Sequence, residues 1–144
     1  IVIVSAGGYP KDINLYQAQK ALDNAKHAVK DGGIVILVAS CSEGLGEKVF
    51  EKWMLNAESP DSLIRDIQIN FVLGGHKAAA IAMLLKKARV FLVSDLDFDF
   101  VRSLFMEPFD DVNKALDEAF KIKGADAKVI IMPYGGSTLP VVKG

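Results

Sequence analysis

The chain has 144 residues, of which 51% are apolar, and a formal charge of −1 at pH 7. That is enough apolar content and length for an ordinary folded unit burying roughly two thirds of its unfolded surface, and the near-neutral balance gives no basic face of the kind nucleic-acid binders concentrate. No apolar run reaches the about eighteen residues needed to cross a bilayer, so neither nucleic acid nor membrane is an expected partner, and the single Cys41 leaves no intramolecular disulfide and points to the cytoplasm.

Residues 1–4 read as a short buried strand, Gly7-Gly8-Tyr9-Pro10 as the turn after it, and either Asp12 or Asn14 as the cap of a helix over 15–30. Leu15, Ala18, Leu22, Ala25 and Val29 make that helix's buried stripe, leaving Gln17, Lys20, Asn24 and His27 on another face. Asp31-Gly32-Gly33 stops the helix. Residues 34–39 are continuously apolar and β-branched, as in a strand covered on both faces, so the first 40 residues predict a right-handed βαβ unit.

Gly44-Leu45-Gly46 leads into a helix over 47–55 with Val49, Phe50 and Trp53 inward, and Ser59-Pro60 starts another, with Ser as N-cap and Pro at the first position. Leu63, Ile64, Ile67 and Phe71 continue at helical spacing, while Ile67, Ile69, Phe71 and Leu73 also alternate as a strand would; the helix is expected to run to about Gln68. After Gly74-Gly75, residues 76–87 form an Ala- and Leu-rich helix, and 90–94 a strand. Asp95, Asp97 and Asp99 make an acidic turn, Asp110-Asp111 caps a helix closed by Gly124, and 129–132 is the fourth strand. The expected fold is α/β and Rossmann-like, with about four mainly parallel strands and helices on both faces. Residues 1–144 are expected to be a single domain. The chain starts without Met inside a strand-like run, and stops just after the apolar Leu139-Pro140-Val141-Val142, as if cut from a longer protein.

Ligands of such sheets bind at the carboxyl ends of the strands, which points to the loops at 7–14, 41–46, 95–99 and 134–137. Gln17 and Lys20, spaced i,i+3, can reach one ligand together, and glycine amides with the helix N-terminus would favour a carboxylate beside Tyr16, Gln17 and Lys20. The plainer reading is that the glycines only turn the chain and both side chains are solvated, since the G-x-G-x-x-G fingerprint is absent. His76 has two readings, a substrate contact or a helix cap. His27 is expected on the surface, Cys41 in the core, and the acidic turn in solvent because its sixth position is Phe100, not the glycine of a calcium loop. Two histidines and one cysteine fit no recognised metal spacing.

The run S-A-G-G-Y-P-K-D-I-N-L-Y-Q-A-Q-K over 5–20 resembles the opening of the C-terminal domain of the nickel-dependent lactate racemase family. Ala39-Ser40-Cys41-Ser42-Glu43-Gly44-Leu45-Gly46, Leu73-Gly74-Gly75-His76-Lys77-Ala78 and Leu92-Val93-Ser94-Asp95 extend the likeness in the same order. It implies a 2-hydroxy acid racemase or epimerase whose nickel-pincer nucleotide and acid/base histidines belong to an N-terminal domain of the same chain. This part would close the cleft, with no cofactor or metal ligands of its own. Tyr16, Gln17 and Lys20 match the family's Y-Q-x-x-K motif, so Lys20 and Gln17 are the implied catalytic-site groups, with Tyr16 and His76 as further substrate contacts. His76 stands near where the lactate enzymes are expected to carry a tryptophan, a departure that would suit a more polar 2-hydroxy acid. The competing expectation is a stand-alone α/β domain that binds a carboxylate or other small anion without catalysis.

Overall fold

The computed structural model describes residues 1–141, so Val142 of the apolar C-terminal run lies outside the described residues. The elements follow in the order β1 (Val2–Ser5), α1 (Leu15–Ala25), β2 (Ile34–Val38), α2 (Lys48–Asn56), α3 (Pro60–Ile69), α4 (Gly75–Lys87), β3 (Arg89–Val93), α5 (Phe98–Arg102), β4 (Glu107–Phe109), α6 (Val112–Lys123) and β5 (Ile130–Met132). A single turn of 3₁₀ helix covers Gly135–Ser137.

The five strands form one parallel sheet in the order β4-β3-β2-β1-β5. Winding runs outward from β1 to β4 and then returns past β1 to place β5. Right-handed crossovers in opposite directions must lie on opposite faces, which is why helices cover both. One apolar cluster, built on Val4, Leu37 and Leu92, packs against α1, α4 and α5; the other, built on Ile34, Ile36 and Phe91, packs against Ala115 and Ala119 of α6.

Four expectations need correction. The sheet has a fifth strand, β4, whose three residues include Pro108; a proline is tolerated there because β4 is an edge and one side of it needs no ladder donor. The first helix ends at Ala25 and not near Lys30, because the amides of His27 and Ala28 turn back to Asn24 and Ala25 in i,i+3 bonds that tighten the chain out of the α register. Val29 nonetheless stays in the core, at 5% exposed. The acidic turn is exposed to solvent as expected, but its second half opens a helix, α5: Asp97 caps it by accepting from the Phe100 amide, and Asp99 pairs with Arg102. Finally, Phe71 belongs to no buried stripe. Asn70 leaves α3 in an extended conformation, so Phe71 is 67% exposed and Leu73 73%.

The sequence's cap signals are otherwise realised. Asn14, of the two candidates, caps α1 by accepting from the Gln17 amide at 2.8 Å, and Ser59 with Ser62 forms a capping box ahead of Pro60.

The two phenylalanines test this assignment. Phe50 is fully buried, so Phe50→Ala should cost about 3 to 5 kcal/mol, whereas Phe71→Ala should stay within about 0.5 kcal/mol. Urea unfolding midpoints of the two variants measure both; a large loss at Phe71 would mean that it is packed after all.

Candidate functional site

In an all-parallel sheet every strand ends at the same edge, and the loops after β1 and β5 meet where the winding reverses. Such reversals open a crevice. Here the crevice is a cleft of about 150 Å³ between the start of α1 and the turn after β5, lined by Ala6, Lys11, Gln17, Lys20, Gly136 and Ser137 among others. That is below the about 300 Å³ at which pockets for drug-sized ligands begin, a size for a small acid and not a nucleotide.

Gln17 and Lys20 stand together in this cleft, as their spacing requires, but the backbone does not help them in the way the glycines suggested. The amides of Leu15 and Tyr16 donate to the carbonyls of Gly44 and Leu45 at 3.0 and 3.1 Å, and that of Gln17 to Asn14. The N-terminus of α1 is thus closed by the loop after β2, and its first-turn amides are not free to meet a ligand. Lys11, which sequence reasoning passed over although it lies inside the 5–20 run, adds a second ammonium.

The far wall is held by Asn24. One turn beyond Lys20, its amide donates to the Gly135 carbonyl at 2.6 Å, joining α1 to the chain after β5. Gly135 must lack a side chain, since a Cβ there would meet a Val4 methyl, Ala21 at 2.8 Å and the Ser5 carbonyl at 2.9 Å. This close approach brings Gly136 and Ser137 to Lys20.

Tyr16 turns to another side. Its ring packs edge-on against Phe50 with centroids 5.6 Å apart, while Lys77 from α4 lies over it. His76 Nδ1 accepts from the amide of Gly74, the residue before α4, at 2.9 Å, and its ring lies 5.6 Å from that of Phe71. It does not line the cleft with Gln17 and Lys20. His27 is exposed just past α1, and Cys41 is fully buried. Burial, reinforced by Asp12 and Asp95, pushes the Cys41 thiol up to about 12.

A second depression on the same edge, of about 380 Å³, runs along the ends of β1 to β4 and is lined by Asp12, Asp95 and Asp110 with the hydroxyls of Ser5, Ser40 and Ser94. Its carboxylates disfavour an anion, which leaves the cationic cleft as the place for one. Among the described residues no three His, Cys, Asp or Glu side chains converge to hold a metal. The cleft itself offers two ammonium groups, a carboxamide and a hydroxyl, a set with the donors and acceptor that would suit a carboxylate with an adjacent oxygen. None of its lining residues is an imidazole, thiol or carboxylate able to take a proton near neutral pH.

A family model described as the lactate racemase C-terminal domain matches residues 1–140. The chain belongs to that family. It is similar to the lactate racemase of Thermoanaerobacterium thermosaccharolyticum, with 33% identity over 96% of this chain and 34% of the relative. Similarity to the lactate racemase of Lactiplantibacillus plantarum is 32% over 94% of this chain and 33% of the relative. The solved lactate racemase apoprotein from T. thermosaccharolyticum superposes with a TM-score of 0.90 at 32% identity, covering 99% of this chain and 35% of that one. The chain therefore spans about a third of the length of these relatives.

The burial of Cys41 has a measurable consequence. Its folded pKa lies above the ordinary thiol value of 9.0, so between that value and about 12 the unfolded chain releases a proton that the folded chain keeps, and stability falls as pH rises through this window. Guanidinium titrations at increasing pH should show this loss for the wild type and less of it for Cys41→Ala compared with its own value at pH 8. Alkylation of Cys41 at pH 8 should proceed only on unfolding; fast labelling of the native protein would contradict its burial.

Proposed function

We propose that the chain is the substrate-positioning domain of a racemase or epimerase of small 2-hydroxy acids, and that it closes over a reaction centre carried by an N-terminal domain of the same polypeptide. The observation that carries this reading is the cleft at the winding reversal. It brings Gln17, Lys20 and Lys11 together in a chain of the lactate racemase family.

Lys20 would neutralise the substrate carboxylate, or the charge that develops on the neighbouring hydroxyl oxygen as its proton is removed, while Gln17 orients the acid with its amide donor and acceptor. Lys11 and Ser137 complete the contacts from the two bordering loops. Tyr16 would form the edge of the site nearest α4. His76, at the start of α4, would be a further substrate contact outside this cleft, and would suit a more polar 2-hydroxy acid; the volume of the cleft itself suits a small acid such as lactate.

The resemblance implies a nickel-pincer nucleotide, which would supply hydride chemistry at Cα. The described residues do not fit it: the two histidines lie on separate surfaces, the cysteine is buried and protonated, and no donor cluster exists among them. That chemistry is therefore assigned to the N-terminal domain, and the residues here bind, orient and exclude water. A cytoplasmic location goes with this reading.

In the full-length protein, Lys20→Ala should lower kcat/KM about ten- to hundredfold, the equivalent of about 1.5 to 3 kcal/mol for a charge-assisted hydrogen bond, with a smaller loss of the same sign for Gln17→Ala. Both side chains are exposed, so stability should move by no more than about 0.5 kcal/mol. A large fall in Tm with kcat/KM intact would make Lys20 structural. The 144-residue chain alone should bind lactate weakly and not racemise it; turnover by this chain alone would contradict the division of labour.

A further inference from the structure

Two residues into α4, Lys77 reaches across to α1. Its Nζ donates to the Tyr16 carbonyl at 3.1 Å and lies 3.8 Å from the centroid of the Tyr16 ring. The same ring is packed edge-on by Phe50 on α2. Tyr16 is therefore held from two sides, by an aromatic edge and by an ammonium.

The approach is built into the start of the helix. Gly74 has a left-handed φ of 93°, which re-aims the chain after the exposed segment at 70–73, and Gly75 lies under the Trp53 ring, where a Cβ would be only 2.7 Å from an aromatic carbon. With no side chain at that point, α4 can settle against α2 and bring its next turn to α1. Lys77 is half-buried there, yet it pairs with no carboxylate within 4.0 Å among the described residues. Its charge is answered by a carbonyl and a π face. A lysine that served only solubility would leave its head in water, and one that served only stability would more economically meet an acid. Burial lowers the Lys77 pKa, with Asp23 opposing that shift and Lys20 adding to it, so its charge is felt on the same helix that carries the substrate cation.

We propose that Lys77 is a positioning residue: by holding the backbone and ring of Tyr16, it latches the N-terminal turn of α4 to the helix that presents Gln17 and Lys20. Through Lys77 the Gly-Gly-His-Lys segment acts on the site. The inference rests on the reading of Gln17 and Lys20 as substrate residues, but half of its test does not.

The experiment uses the 144-residue chain as wild type, Lys77→Met, Lys77→Gln and Lys77→Arg, in two NMR readouts. Methionine keeps the length of the side chain without the charge, and glutamine serves if methionine does not fold. The first readout is the set of Tyr16 ring shifts and Tyr16-to-Phe50 proton contacts without ligand; Met or Gln should move them, and Arg should restore them. The second is titration with sodium lactate, followed at the Gln17 and Lys20 amides. Met or Gln should weaken binding about three- to tenfold, and Arg should recover most of it. Tyr16 unmoved in both uncharged variants, or affinity lost equally in Lys77→Arg, would overturn the proposal. A wild-type chain whose Gln17 and Lys20 amides ignore lactate would overturn the function proposed above, and the first readout would still decide whether Lys77 holds Tyr16.

Discussion

The closure of the N-terminus of α1 by the loop after β2 is the interaction on which the site depends. Three successive amides, those of Leu15, Tyr16 and Gln17, find partners in the Gly44 and Leu45 carbonyls and the Asn14 side chain. Left unpaired against packed protein, such groups would cost as much as lost hydrogen bonds, so the loop and helix are fixed to each other as one unit. Gly46 makes the fit possible, since its φ of 93° is open to glycine and a Cβ there would collide with Asn14. With α1 held at this end, its faces are assigned: Gln17 and Lys20 toward the turn after β5, Tyr16 toward α2 and α4.

That arrangement also divides the carboxyl edge of the sheet by charge. Lys11 and Lys20 lie where β1 and β5 end, while Asp12, Asp95 and Asp110 lie along the ends of the other strands. A carboxylate approaching the edge meets attraction on one side and repulsion on the other. In open water a unit pair at 4 Å is worth about 1 kcal/mol, and several times more once solvent is displaced, so a domain closing over the cleft would strengthen the selection made by these side chains.

Much of this was legible in the residues. The continuous apolar run at 34–38, the caps at Ser59 and Asp111, and the i,i+3 pairing of Gln17 with Lys20 appear in the structure as the spacing requires. The loop at 41–46 was legible as glycine-rich but not as a cap, because its partner amides are about thirty residues away in sequence. At the start of α4 the sequence singled out His76, not the adjacent Lys77. Only the close packing of Gly75 under Trp53, and the turn of α4 that follows, decided which of them reaches α1.

By itself, then, the sequence determined a parallel α/β fold, the faces of its helices and the family of the chain, all of which follow from local period and local motif. The tertiary structure decided that β5 lies beside β1, that Gly136 and Ser137 therefore face Lys20, and that Phe71 and Leu73 remain exposed. Strand order and burial depend on which distant segments hydrogen-bond and pack together. A helical or alternating period specifies which side chains share a face, but it carries no information about which neighbour that face will meet.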